Sequence, residues 1–164
     1  MNRVLLIFLF TALALSSCKK GYDEVAVVRE QAAKDDKIIQ DYIAANNLQS
    51  TAKRIDTTGV FYIVQKPGEG NELFTNSTRV TVDFTGKILT TGAVFTNSNN
   101  YHPFYTLGEV IRGWQLGIPQ IKKGGKVRLL IPSRYGYGAF DQPEIGIPAN
   151  SVLDFDIELL DVTN

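Results

Sequence analysis

The sequence contains one cysteine, Cys18, and one histidine, His102. A single thiol excludes a disulfide framework, and so few nucleophiles and imidazoles leave a catalytic triad or a zinc site without partners. His102 stands before Pro103 in a polar loop, where an exposed imidazole is expected. An excess of charge is missing as well. Lys and Arg together number 17, as do Asp and Glu, so nucleic acid is not an expected partner. The glycine-rich Lys123-Gly124-Gly125-Lys126 matches no phosphate-binding signature, which argues against a nucleotide site. The expectation is a protein that works with no cofactor and no metal.

A long apolar run is also missing. Val4 to Leu15 is apolar but falls short of the roughly 20 residues that span a bilayer. Arg3 precedes it, and Leu15-Ser16-Ser17-Cys18 ends it in small residues and the sole thiol. The arrangement resembles a bacterial lipoprotein signal, in which residues 1–18 form the leader and Cys18 is the lipidation site. Alternatives are a secretory signal with an incidental thiol and a simple N-terminal anchor helix. Several acyl chains on one cysteine hold firmly, since each buried methylene contributes about 0.8 kcal/mol. The expected localisation is the envelope of a Gram-negative-type bacterium, lipid-anchored to a membrane on the periplasmic face.

Residues 19–58 are polar. Val28, Ala32, Ile39, Tyr42 and Ile43 recur at partly helical spacing, predicting a helix from about Glu24 to Ala45, with Asp35-Asp36 interrupting the apolar stripe. Asn46-Asn47 suits a left-handed cap. The preferred reading is a spacer that lifts the domain from the membrane, and a dimerisation arm is the alternative. The weak stripe favours a monomer.

From residue 59 the patterning turns to strands. Val60 to Val64 is β-branched and aromatic and stops at Pro67-Gly68; Val80, Val82 and Phe84 alternate with Thr81, Asp83 and Thr85; Leu153, Phe155, Ile157 and Leu159 alternate with acidic residues. Val127, Leu129 and Ile131 suggest another strand with one buried face. Between these lies a short helix that Pro119 limits, starting near Trp114, the only tryptophan. The predicted architecture is α+β, an antiparallel sheet curled over one short helix and preceded by an N-terminal helix. Residues 139–152, with Pro143, Gly146 and Pro148, form a long loop of the kind that is usually functional or disordered.

Three motifs in order, Val110-Ile111-Arg112-Gly113-Trp114, Tyr135-Gly136-Tyr137-Gly138 and Leu153 to Leu160, resemble the FKBP family of peptidyl-prolyl cis-trans isomerases. The resemblance covers roughly Val60 to Val162. It implies an FKBP-like fold for 59–164, X-Pro bond rotation in exported proteins and proline-containing polypeptide substrates. It also implies a pocket of Phe95, Val110, Ile111, Trp114, Tyr137, Ile147 and Phe155. Trp114 would be the floor, the Ile111 amide and the Tyr137 hydroxyl would hold carbonyls, and the 139–152 loop would overhang the ligand. Phe95, Trp114, Tyr137 and Phe155 are the expected catalytic set. Tyr105 is a further candidate for the lining. For Phe155, Val110 and Trp114 the plain alternative is core packing.

Two departures from the family pattern stand out. Phe84 occupies the usual place of a tyrosine, and Thr96 that of an aspartate; both are expected substrate-binding positions of the pocket, and in the family those two side chains hydrogen-bond to one another. Losing both leaves no unpaired buried group, whereas losing one would cost about 1–3 kcal/mol. The expected consequence is a stable fold with reduced isomerase activity and weakened affinity for macrolide inhibitors such as tacrolimus. A catalytically weak proline-segment binding module or chaperone is the alternative function, and a structural envelope protein with a vestigial pocket a third.

Overall fold

A computed structural model describes residues 24–164; the leader and Cys18 lie outside the described residues. The chain divides into two compact units, Met1–Glu30 and Gln31–Asn164. Of the first unit, the described part is the opening of helix α1, Glu24–Ala45. The second unit carries the sheet.

Seven strands form that sheet: β1 (Lys53–Arg54), β2 (Phe61–Lys66), β3 (Arg79–Ile88), β4 (Val94–Asn97), β5 (Phe104–Thr106), β6 (Lys126–Ile131) and β7 (Leu153–Thr163). Their order is β1-β2-β6-β7-β3-β4, with β5 also on β3, and every pairing is antiparallel. The longest strand, β7, lies between β6 and β3, so its alternating apolar residues form the centre of the inner face. Phe155, Ile157 and Leu159 share one core with Val80 and Val82 of β3 and with Val127, Leu129 and Ile131 of β6.

Helix α2, Arg112–Gly117, crosses this inner face and ends in a 3-10 turn, Ile118–Gln120, that contains Pro119. Its two glycines set how near it comes to the sheet. A Cβ on Gly113 would meet Ile131 at 2.5 Å, and one on Gly117 would collide with Leu129. Four residues apart, they lie on one side of the helix and let its backbone rest on β6. Trp114, between them, is thereby brought into the core with 5% of its surface exposed.

The opposite face of the sheet differs from expectation. Leu130 is fully buried, although the strand pattern predicts one buried face for β6. The reason is α1, whose Ile39 and Ile43 pack with Leu130, Leu89 and Val152 in a second core. From Gln31 the helix belongs to the compact unit, and β1 adds to the sheet. Nor does Asp35 break the stripe. Asp35, Ile39 and Ile43 recur every four residues and are all buried, so the carboxylate lies in the stripe itself. Tyr42 reaches the same face, where its hydroxyl accepts a hydrogen bond from Arg128 at 2.6 Å while Arg128 pairs bidentately with Asp154 at 2.8 and 2.7 Å. The helix ends as expected, with Asn47 at φ 56° and the Leu48 amide returning to the Ile43 carbonyl at 2.9 Å.

Because Gly117 has no room for a methyl group, Gly117→Ala is expected to lower stability by about 1–3 kcal/mol through overpacking. Urea unfolding followed by Trp114 fluorescence measures it; an unchanged midpoint would show that α2 can move off β6 freely.

Candidate functional site

A cavity of about 350 Å³ opens beside α2, lined by Phe84, Thr96, Tyr105, Glu109, Val110, Ile111, Trp114, Tyr137 and Phe155. Trp114 is its centre. Edge-on rings surround the indole: Phe84 at 5.0 Å, Phe155 at 5.2 Å and Tyr105 at 5.8 Å. Edge-to-face aromatic pairs are each worth about 0.5–1.5 kcal/mol beyond area burial, so these walls are stiff. The Trp114 Nε1 and Glu72 Oε2 are the buried side-chain polar atoms without a partner among the described residues.

Each wall has a local origin. Phe84 comes from β3, Phe155 from β7 and Tyr105 from β5, whose register against β3 sets Tyr105 opposite Val80. Val110 and Ile111 come from the turn before α2. There Gln115 ties the backbone down, its Nε2 donating to the Val110 carbonyl at 2.8 Å and its Oε1 accepting from Arg112 at 2.6 Å. Tyr137 follows the 3-10 turn Ser133–Tyr135. The Ser133 carbonyl accepts the amides of Gly136 and Gly138, both at 2.9 Å, so the two residues flanking Tyr137 are fastened to one oxygen.

Eight of the ten residues proposed from sequence for the pocket line it. Phe95 does not: it packs edge-on behind Phe155 at 5.5 Å, across Gly86, where a Cβ would meet the Phe155 ring at 2.6 Å. Ile147 does not either, being 1% exposed within the core. Its loop is less irregular than expected, with a 3-10 turn at Pro143–Ile145 and a bridge between Gln142 and Ile147, and no residue of 139–152 lines the cavity. Glu109 is the lining residue the sequence reading missed; the signal was its place directly before Val110. His102 is exposed, as expected, yet its Nδ1 lies 2.8 Å from Asp83 Oδ1.

Both departures from the family pattern, Phe84 and Thr96, face the cavity. The Thr96 hydroxyl is not among the buried unpaired atoms, so the substituted pair leaves no orphan. A carboxylate is nevertheless near: Glu109 sits at the rim. A second, polar cavity of about 460 Å³ lies over the other face of β3 and β7, beside Asp83, Asp156, Glu158 and Lys126. Two of its carboxylates are paired, Glu158 with Lys126 at 2.9 Å and Asp156 with Lys87 at 3.7 Å. Among the described residues no three His, Cys, Asp or Glu side chains are grouped to hold a metal ion.

An antiparallel sheet packed on a short helix, with an aromatic cavity centred on a tryptophan and lined by a tyrosine, defines a class of domain built around one shaped apolar pocket. The comparisons narrow the class. Residues 70–160 match the family model for FKBP-type peptidyl-prolyl cis-trans isomerases. The chain is 38% identical over 154 residues to the FKBP-type peptidyl-prolyl cis-trans isomerase FkpA of Buchnera aphidicola, covering 92% of this chain and 60% of the relative. It is 41% identical over 110 residues to FK506-binding protein 1A of Aspergillus fumigatus, covering 65% of this chain and 96% of that protein. The crystal structure of FkpA from Escherichia coli superposes with a TM-score of 0.68 at 34% identity, covering 98% of this chain and 71% of that one. The chain belongs to the FKBP-type peptidyl-prolyl cis-trans isomerase family, and its fold is FKBP-like. It spans 40–60% of the length of the FkpA relatives it matches.

Burial, and secondarily Tyr105, pushes the Tyr137 phenol above its ordinary value; burial does the same to Tyr105. Both remain neutral donors at any physiological pH. The folded protein holds these protons more tightly than the unfolded chain, so their contribution is intact below the ordinary tyrosine value of about 10 and is lost as pH rises through the folded value. Tyrosinate absorbance is expected to lose one late-titrating phenol on Tyr137→Phe. Titration of all tyrosines at the ordinary value would contradict the buried geometry.

Proposed function

We propose that the chain is a peptidyl-prolyl cis-trans isomerase acting on proline-containing segments of exported polypeptides, and that it uses no cofactor. The carrying observation is the Trp114-centred cavity, apolar on three sides and edged by the neutral Tyr137 hydroxyl. Rotation about an X-Pro bond passes through a twisted amide whose resonance is lost, over a barrier of about 18–20 kcal/mol. The planar amide carries more charge separation than the twisted one. An aromatic cavity therefore penalises the ground state more than the transition state, which is differential binding of the kind that accelerates a step. Trp114, Phe155 and Phe84 receive the proline ring. The Tyr137 hydroxyl and the Ile111 amide hold the flanking carbonyls, and Val110, Tyr105 and Thr96 shape the sides. Phe95 acts from behind, by holding Phe155. Cys18 anchors the protein by lipid to the envelope membrane, on its periplasmic face, as a monomer.

Removing one hydrogen bond to the substrate typically costs about 0.5–1.5 kcal/mol, so Tyr137→Phe is expected to lower kcat/KM for a Leu-Pro peptide roughly three- to tenfold. Equal rates for the two proteins would remove Tyr137 from the chemistry, and no acceleration by the folded wild type would remove the enzyme reading.

The specific feature favouring a second reading, a proline-segment binding module of low catalytic rate, is the pair Phe84 and Thr96, which places no carboxylate inside the cavity. Restoring the pair with Phe84→Tyr and Thr96→Asp is expected to raise kcat without a matching change in peptide affinity. An unchanged kcat would mean that the substituted pair does not limit the reaction.

A further inference from the structure

We propose that Asp35 of the N-terminal helix is a positioning residue for Tyr137, acting through Ser133. Asp35 is fully buried, and Ser133 is 2% exposed. One carboxylate oxygen, Oδ2, accepts both the Ser133 amide at 2.8 Å and the Ser133 hydroxyl at 2.6 Å, while Oδ1 accepts Gln31 Nε2 at 2.8 Å. Ser133 thus has its amide and hydroxyl committed to α1 and its carbonyl committed to Gly136 and Gly138, on either side of Tyr137. The next residue is held to the same helix. Arg134 donates to Asp36 Oδ1 at 2.9 Å, to the Ala32 carbonyl at 3.3 Å and to the Thr58 carbonyl at 2.8 Å.

The chain of contacts is short and carries no slack. A shift of the Ser133 turn moves both amides that orient the Tyr137 backbone, and it moves the Gly138 carbonyl, which accepts the Asn150 amide at 2.8 Å and so closes the base of the 139–150 loop. A buried carboxylate is a costly way to secure an ordinary turn, because losing its partners would strand polar groups away from water. What distinguishes this turn is the residue it delivers to the cavity. Helix α1 thereby acts on the cavity from the far face of the sheet, although no residue of α1 lines it.

The catalytic consequence rests on the isomerase reading above; the positional claim does not. The test uses the full chain with its tyrosine rings isotopically labelled, and compares Asp35→Ala and Ser133→Ala with Ile43→Ala, which loosens the same helix without touching Ser133. Asp35→Ala is expected to shift or broaden the Tyr137 ring resonance and to lower kcat/KM roughly tenfold, while Ile43→Ala lowers the unfolding temperature and leaves both unchanged. In a Tyr137→Phe background the loss on adding Asp35→Ala is expected to vanish, since both changes disable one element. If Asp35→Ala does not fold, Ser133→Ala, which removes only the hydroxyl donor, decides by the same two readings. An unmoved Tyr137 resonance in a folded Asp35 or Ser133 variant overturns the proposal, as does an equal effect from Ile43→Ala or an undiminished loss in the Tyr137→Phe background. Absence of catalysis by the wild type would remove the isomerase reading, and the Tyr137 resonance would still decide the positional claim.

Discussion

The contact on which this structure depends is the close approach of α2 to β6. Two glycines on one side of a six-residue helix let its backbone rest on Leu129 and Ile131, and this depth sets where Trp114 stands. Phe84, Phe155 and Tyr105 all meet the indole edge-on, so the cavity walls are arranged around a side chain whose own position comes from missing methyl groups. With a bulkier residue at either glycine, α2 would stand off, and the rings from β3, β5 and β7 would lose their common partner. The site is therefore a product of packing density rather than of special chemistry, consistent with a reaction that requires a shaped apolar space and a hydrogen bond.

The two faces of the sheet have different tasks. The inner face holds the cavity, while the outer face is covered in part by α1 and elsewhere carries paired charges. The covered part combines apolar packing, Ile39 and Ile43 on Leu130, with polar contacts of unusual burial at Asp35 and Asp154. Apolar contacts alone would seat a helix with little preference for register, because Ile and Leu slide past one another at small cost. The hydrogen bonds from Ser133 to Asp35 and the bidentate Arg128–Asp154 pair with Tyr42 select one register. Such polar groups add specificity more reliably than stability, since their desolvation offsets much of their attraction.

Membrane attachment is a separate matter from the fold. Among the described residues no helix is long and apolar enough to cross a membrane. The compact unit beginning at Gln31 has its own two cores, so the attachment proposed at Cys18 is not needed to complete its packing.

Much of the domain was legible in the residues themselves. Alternation in Val80-Thr81-Val82 and in Leu153 to Leu159 defined strands with a buried face because side chains on a pleated strand point to opposite sides. Pro119 limited the helix at Trp114, and Asn46-Asn47 marked the end of α1. Five pocket residues, Val110, Ile111, Trp114, Tyr137 and Phe155, lie in the motifs that resemble a known family. What local pattern could not decide was distance in the third dimension. Phe95 and Phe155 look alike as aromatic residues in strands, yet the absence of a Cβ at Gly86 let one ring cover the other, leaving only Phe155 in contact with the cavity. Ile147 belongs to a loop by its neighbours and to the core by its burial. By pattern Asp35 interrupts an apolar stripe and Leu130 alternates off the buried face of its strand, yet both are buried, Leu130 against α1 and Asp35 against Ser133. The sequence by itself determined the four long strands, the short helix and the family; the tertiary structure decided which rings face the cavity and what α1 touches, because those depend on contacts between residues far apart in the chain, from Phe84 with Trp114 to Asp35 with Ser133.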